Sequence, residues 1–202
     1  MALARFTITK YGVIELNHVS WPETARVFGQ LPLLAADFAE ATPAAVAENG
    51  MWLVYDIAAG AVRLPDDTTE PVGVLYMGEK EYNKFEVGLN QFFLDSATGF
   101  LPRIGMPMVG DIYTTNTFCY DVGSGTGQFA NNAAVVSALG GNLVSAPLYL
   151  IPSAGGAPRI TNAAGLAAAI SSPGVSTIAR VVKYYTLPDG NPAIKVQFTQ
   201  VA

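Results

Sequence analysis

Polar and apolar residues alternate most regularly near the end of the chain. In AIKVQFT, Ile194, Val196 and Phe198 fall on one side of an extended strand, and Lys195, Gln197 and Thr199 fall on the other. This is the period of two expected when one face of a strand is buried. VSTIARVVKYYTL reads as a second strand and PDGNP as the turn between them, so the pattern predicts a C-terminal β-hairpin.

A second pattern spans residues 50 to 76, GMWLVYDIAAGAVRLPDDTTEPVGVLY. Three short apolar runs, MWLVYDI, AVRL and PVGVLY, are separated by Ala-Ala-Gly and by the polar Pro-Asp-Asp-Thr-Thr-Glu. The runs are apolar at nearly every position rather than at every second one. Strands of this kind are expected to be covered on both faces.

Elsewhere the signals are shorter. RFTIT alternates with Phe6 and Ile8 on one face, and in YGVIELNHVS an extended chain places Ile14, Leu16 and His18 together. SWPE at Ser20 has the spacing of a capping box and predicts a short helix through Ala25 and Phe28, ended by Gly29. The stretch LPLLAADFAEATPAAVAENG predicts one or two helical turns or a loose connector broken at Pro43. FEVGLNQFFL, DIYTTNTFCYD and APLYLIP read as strands, and NNAAVVSALGG as two helical turns. GGAPRITNAAGLAAAISSPG reads as a long loop with one helical turn in GLAAAI. A mainly β chain follows, with an N-terminal arm and connector over 1–45 and a β-rich domain over 46–202, built as one β unit or as two at about 46–110 and 111–202. Because RFTIT has no turn partner nearby, Arg5, Phe6, Thr7, Ile8 and Thr9 are expected to form an interface strand that pairs with a neighbouring subunit.

Composition narrows the partners. Half of the residues are hydrophobic and only 13 % are charged, against roughly 25 % in a typical soluble protein. The remaining surface is supplied with Thr, Asn, Ser, Gln and Gly, which tolerate burial in an extended contact better than unpaired charges do. Eleven Lys and Arg against sixteen Asp and Glu leave a net charge of −5 with no basic run along the chain, so nucleic acid is not an expected partner. The opening residues lack a signal-peptide core, and no apolar run reaches the ~20 residues that span a bilayer. The expectation is a chain made in the cytoplasm with no membrane partner.

Candidate chemistry is sparse. His18 and Cys119 are the single residues of their types, so no zinc site of Cys and His alone can form. His18 reads as a buried or border imidazole and Cys119, between Phe118 and Tyr120, as a small core residue. GSGTG at 123–127 lacks the Lys-Ser/Thr end of a phosphate loop and reads as a flexible turn. Asp66, Asp67 and Glu70, and Glu79 with Glu81, read as solvated turns rather than calcium loops. No catalytic residue, cofactor site or metal site is assigned. Trp21, Trp52 and the nine tyrosines could build a sugar-stacking platform, which keeps a carbohydrate-binding or adhesive β module of a phage tail, fibre or cell surface as the alternative function.

The 50–76 stretch resembles the β unit of the head decoration, or capsid cement, proteins of tailed phages, of which the phage lambda head decoration protein is the best-known type. The resemblance lies in Gly50 before an apolar strand, the turn at Ala59-Gly60, the strand AVRL, a polar loop and PVGVL; STIARVVKYYTLPDG is similar to the strand that closes such domains. The resemblance implies a small β-barrel or β-tulip-like unit with short helices, long irregular loops and the C-terminal hairpin. It also implies a structural virion protein on the capsid surface. Its partners would be the major capsid protein and copies of itself, grouped as a homo-oligomer, a trimer, on the assembled head.

Overall fold

A computed structural model describes residues 4–5, 13–15, 26–39, 46–76, 89–91, 93–94, 96–97, 99, 101–120, 137, 144–149, 156–161, 167, 170–171, 174–186 and 192–201. Their regular structure is almost entirely β-strand. In chain order the strands are β1 (Ala4–Arg5), β2 (Val13–Glu15), β3 (Val27–Phe28), β4 (Ala47–Glu48), β5 (Trp52–Asp56), β6 (Ala61–Arg63), β7 (Gly73–Leu75), β8 (Leu89–Gln91), β9 (Phe93–Leu94), β10 (Ile104–Gly105), β11 (Ile112–Thr115), β12 (Cys119–Tyr120), β13 (Pro147–Tyr149), β14 (Arg159–Ile160), β15 (Ile178–Thr186) and β16 (Pro192–Gln200). The protein is mainly β, as its residue pattern predicts.

Two sheets carry the architecture. A nine-stranded sheet has the order β1-β12-β14-β13-β15-β16-β11-β2-β8, and a five-stranded sheet has the order β3-β10-β7-β5-β6; β4 and β9 form a separate pair. All pairings are antiparallel except β12 with β14. Pairings among the described residues leave both large sheets open at their ends.

The double-sided apolar strands of the 50–76 stretch have a direct explanation. Trp52 and Val54 of β5, with Val72 and Val74, face the nine-stranded sheet and share one core with Tyr113, Phe118, Leu148, Ile160, Val181, Ile194, Val196 and Phe198. Leu53, Val62 and Leu75 face the opposite way into a second core with Leu33, Phe38, Ala47, Met51 and Ile104. The segment before β4 runs beside β6 at the edge of the five-stranded sheet, where Val62 N–H donates to Pro32 O at 2.8 Å and Leu34 N–H to Val62 O at 2.8 Å, and its Leu33 and Phe38 enter the second core. The five-stranded sheet is therefore the middle layer of the described structure. The first core draws at once on the 46–110 and 111–202 stretches, and the Trp52 indole N–H donates to the Tyr113 hydroxyl at 2.8 Å between them.

The hairpin forms as expected, with Ile194, Val196 and Phe198 buried. The strand before it is less regular than its sequence. Val181 lies opposite Val196 but Lys183 lies opposite Lys195, so Val182 is an extra residue in a β-bulge. A bulge reverses the facing of everything after it. Val181 points into the core, Tyr184 packs against the same core, and Lys183 is turned outward.

Two local expectations are corrected. Val27 and Phe28 belong to a strand, not to a helix through Ala25 and Phe28, because they pair with Ile104 and Gly105 across the chain. β-branched and aromatic residues suit that pairing, and tertiary pairing overrides a local cap signal. Arg159 and Ile160, expected within a loop, form β14 between β12 and β13; a two-residue strand inserted between distant partners leaves no local period to read. The helical turn in GLAAAI is present at Ala167 and Ile170. The predicted turn at 123–127 lies outside the described residues, as does the PDGNP turn except for Pro192, which opens β16, and all of NNAAVVSALGG but Ser137, which is helical.

Candidate functional site

Of the predicted interface strand, Arg5 is placed by its backbone. It lies opposite Cys119, with Ala4 opposite Tyr120, so β1 adds to one end of the chain's own nine-stranded sheet. Phe6, Thr7, Ile8 and Thr9 lie outside the described residues, and so do His18, Trp21, Glu79, Glu81 and the GSGTG turn. Cys119 is fully buried, with its thiol 3.4 Å from the Ala157 carbonyl oxygen. It is shielded from solvent as a small core residue.

The acidic turn is more organised than its sequence indicates. Arg63 is its centre: Nε donates to Asp56 Oδ2 at 2.8 Å, Nη1 to Glu70 Oε2 at 3.1 Å, and Nη2 to Glu70 Oε1 at 2.5 Å. Asp66 Oδ2 lies 3.1 Å from Nη1. The fork geometry of a guanidinium suits this bidentate grip on Glu70. The loop is also tied across the molecule. The Thr68 hydroxyl donates to the Gly174 carbonyl, the Ser176 hydroxyl to the Glu70 carbonyl at 2.5 Å, and the Ser176 N–H to the Thr68 carbonyl at 2.9 Å.

Hydrogen bonds in this turn favour the ionised forms of Asp56, Asp67 and Glu70. The Asp56 pKa is lowered first by the Ala59 N–H and then by Arg63, and that of Glu70 first by the Arg63 hydrogen bonds. Asp67 is lowered by the Thr69 hydroxyl and N–H. A general acid for glycoside hydrolysis needs a carboxyl pushed the other way, so this group does not supply one. One cation against Asp56, Asp66, Asp67 and Glu70 leaves 1 − 4 = −3 at this corner. Among the described residues no group of three or more His, Cys, Asp or Glu is placed to hold a metal ion.

What the described surface does offer is apolar. Phe28, Leu101, Met108 and Val109 are 42 %, 44 %, 56 % and 64 % exposed. All four lie on the β3–β10 ribbon or on the chain that continues from it: β3 is an outer strand of the five-stranded sheet, and the turn at Val109-Gly110 leads into β11. The ribbon is braced by the Arg26–Asp111 ion pair at 2.5 Å and by the Met108 N–H to Asp111 Oδ2 at 2.8 Å, so these side chains are held on an ordered support. Pattern reading missed them, because in LPRIGMPMVG the apolar residues are interrupted by Gly and Pro and have no period. Trp52 and Tyr113, by contrast, are wholly buried and present no ring to solvent.

A shallow depression of about 390 Å³ lies between Ser145, Ile170, Ile178, Arg180 and Thr199. Its walls are mainly apolar and bring no pair of titratable groups together. Among the described residues no helix is long and apolar enough to cross a membrane. Comparison of the chain with family models, with curated proteins and with solved structures returns no match.

Proposed function

We propose that this protein is a structural component of a phage head, binding the outer surface of the capsid and stabilising it by bridging major capsid subunits. The observation that carries the reading is the braced apolar ribbon of Phe28, Leu101, Met108 and Val109 on a chain with only 13 % charged residues. Exposed apolar side chains carried on one braced stretch of backbone suit a contact surface. A staple of this kind requires complementary area rather than a reactive group. A standard interface of ~1,600 Å² shared among several subunits must break at many points together for the shell to open. The rigid two-sheet scaffold supports the reading because it can hold such a surface in a fixed shape. On this reading the protein is made in the host cytoplasm, is not an enzyme, and ends on the capsid surface as a homo-oligomer, a trimer.

The test is to add purified protein to heads stripped of their decoration and to follow genome release on heating. Uptake by the heads with a raised release temperature is expected. Binding should persist from low to high salt, because apolar contacts are not screened as the Debye length falls from ~30 Å to ~3 Å. Met108→Asp with Val109→Asp should abolish uptake. Failure of the wild-type protein to bind, or binding with an unchanged release temperature, overturns the proposal.

A further inference from the structure

The outer face of β15 and β16 gathers Arg180, Lys183 and Lys195 on a chain with five more acidic than basic residues. The bulge at Val182 creates this grouping. With an unbroken period of two, Lys183 would point with Val181 into the core; the extra residue turns it outward, opposite Lys195. Side chains opposed in this way have Cβ atoms about 4.5–5.5 Å apart, and like charges so placed repel. Neither lysine is engaged in an ion pair within the described structure. Arg180 turns its guanidinium to the neutral Gln197 Oε1 at 2.8 Å, which leaves its charge uncompensated.

The same molecule carries a complementary surface that cannot reach this face. Asp66, Asp67 and Glu70 of the 65–70 loop against Arg63 leave 1 − 3 = −2, and the Asp66 side chain is 84 % exposed. The loop is held near Ser176, two residues before β15. Lys183 lies seven residues further along the extended chain, about 20 Å away at ~3.3 Å per residue. That exceeds two Debye lengths at physiological salt, ~8 Å each, so the loop does not neutralise Lys183 or, opposite it, Lys195 of its own molecule.

We propose that the Arg180, Lys183 and Lys195 face of one copy binds the acidic 65–70 loop of a second copy, head to tail. Such a contact joins two different surfaces and leaves one of each free, so it continues into a ring or an open array. It concerns free copies and stands apart from the capsid reading, so either can fail alone.

Sedimentation velocity on the full chain tests it at about 10 mM and about 1 M salt, where the Debye length is ~30 Å and ~3 Å. Wild-type protein should associate at low salt and come apart at high salt. Asp66→Lys, and separately Lys183→Glu with Lys195→Glu, should each weaken association at least about tenfold, a loss of 1.4 kcal/mol or more, with unchanged circular dichroism. An equimolar mixture of the two variants should form a capped pair, because the intact loop of the second meets the intact face of the first. If the double variant does not fold, Lys183→Gln, with one charge removed at an exposed position, takes its place. A wild-type chain monomeric at low salt, association that survives both variants, or a mixture that forms no pair overturns the proposal. So does retention of a monomeric wild-type chain on a polyphosphate matrix through these lysines, which would assign the face to another anion.

Discussion

Phe198→Ala is the most direct probe of how the two sheets are joined. Phe198 is 1 % exposed. Its ring centroid lies 5.3 Å from that of Trp52 and 5.8 Å from that of Tyr113, the latter stacked at 17°. One neighbour comes from the middle sheet and the other from the nine-stranded sheet, so truncation opens a gap at the seam rather than at a margin. Core Phe→Ala changes cost about 3–5 kcal/mol, a range that already includes the lost ring contacts of about 0.5–1.5 kcal/mol each. For a domain stable by about 5–15 kcal/mol this is a large fraction. With a urea slope near ~2 kcal/mol/M, a loss of ~4 kcal/mol lowers the unfolding midpoint by about 2 M. Urea titration followed by tryptophan fluorescence reads the shift, because Trp52 lies against the deleted ring. Lys195→Ala, from the outward side of the same strand, should stay within about 0.5 kcal/mol. A loss below ~1 kcal/mol for Phe198→Ala at unchanged slope would refute the packing of the sheets through this residue.

Two glycines separate backbone strain from crowding. Gly50 (φ +87°) and Gly60 (φ +66°) both occupy the left-handed region, yet a Cβ on Gly50 would sit 2.5 Å from Thr115 Oγ1 and 2.9 Å from Thr117 Cβ, whereas one on Gly60 meets open space. Gly60→Ala should cost about 1–2 kcal/mol from the backbone alone, and Gly50→Ala a further 1–3 kcal/mol or so from overpacking, measured by the same urea titration; equal costs would contradict the described turn against β11. The Arg63 corner sets an acid limb. Asp56 and Glu70 have pKa values lowered by folding, so their contribution is complete above the ordinary carboxylate range, near ~4, and is lost as pH falls through the lowered values, since the unfolded chain takes up protons first. Thermal unfolding from neutral pH to pH ~2 should show this decline, and Glu70→Gln should flatten it while lowering stability at neutral pH.

The residue pattern by itself determined the class of the fold and its clearest elements. The hairpin was legible because one face of β16 is buried and the other is not, which writes a period of two into Ile194, Val196 and Phe198. The burial of β5, β6 and β7 on both faces was legible because a strand covered twice can carry few polar residues. What covers those faces was not legible, since Leu33, Phe38 and Tyr113 reach them from distant parts of the chain. Strand pairing likewise turned Val27–Phe28 away from a helix and raised Arg159–Ile160 from a loop into a strand. The acidic turn read as solvated polar residues, and only the tertiary structure folded it around Arg63 and fastened it to Gly174 and Ser176. The bulge at Val182 follows the same logic, for a local sequence specifies alternation, while an extra residue that reverses it is decided by which side chains the core accepts. Tyr184 enters beside Ile194, and Lys183, its charge too costly to bury, is turned to the surface next to Lys195.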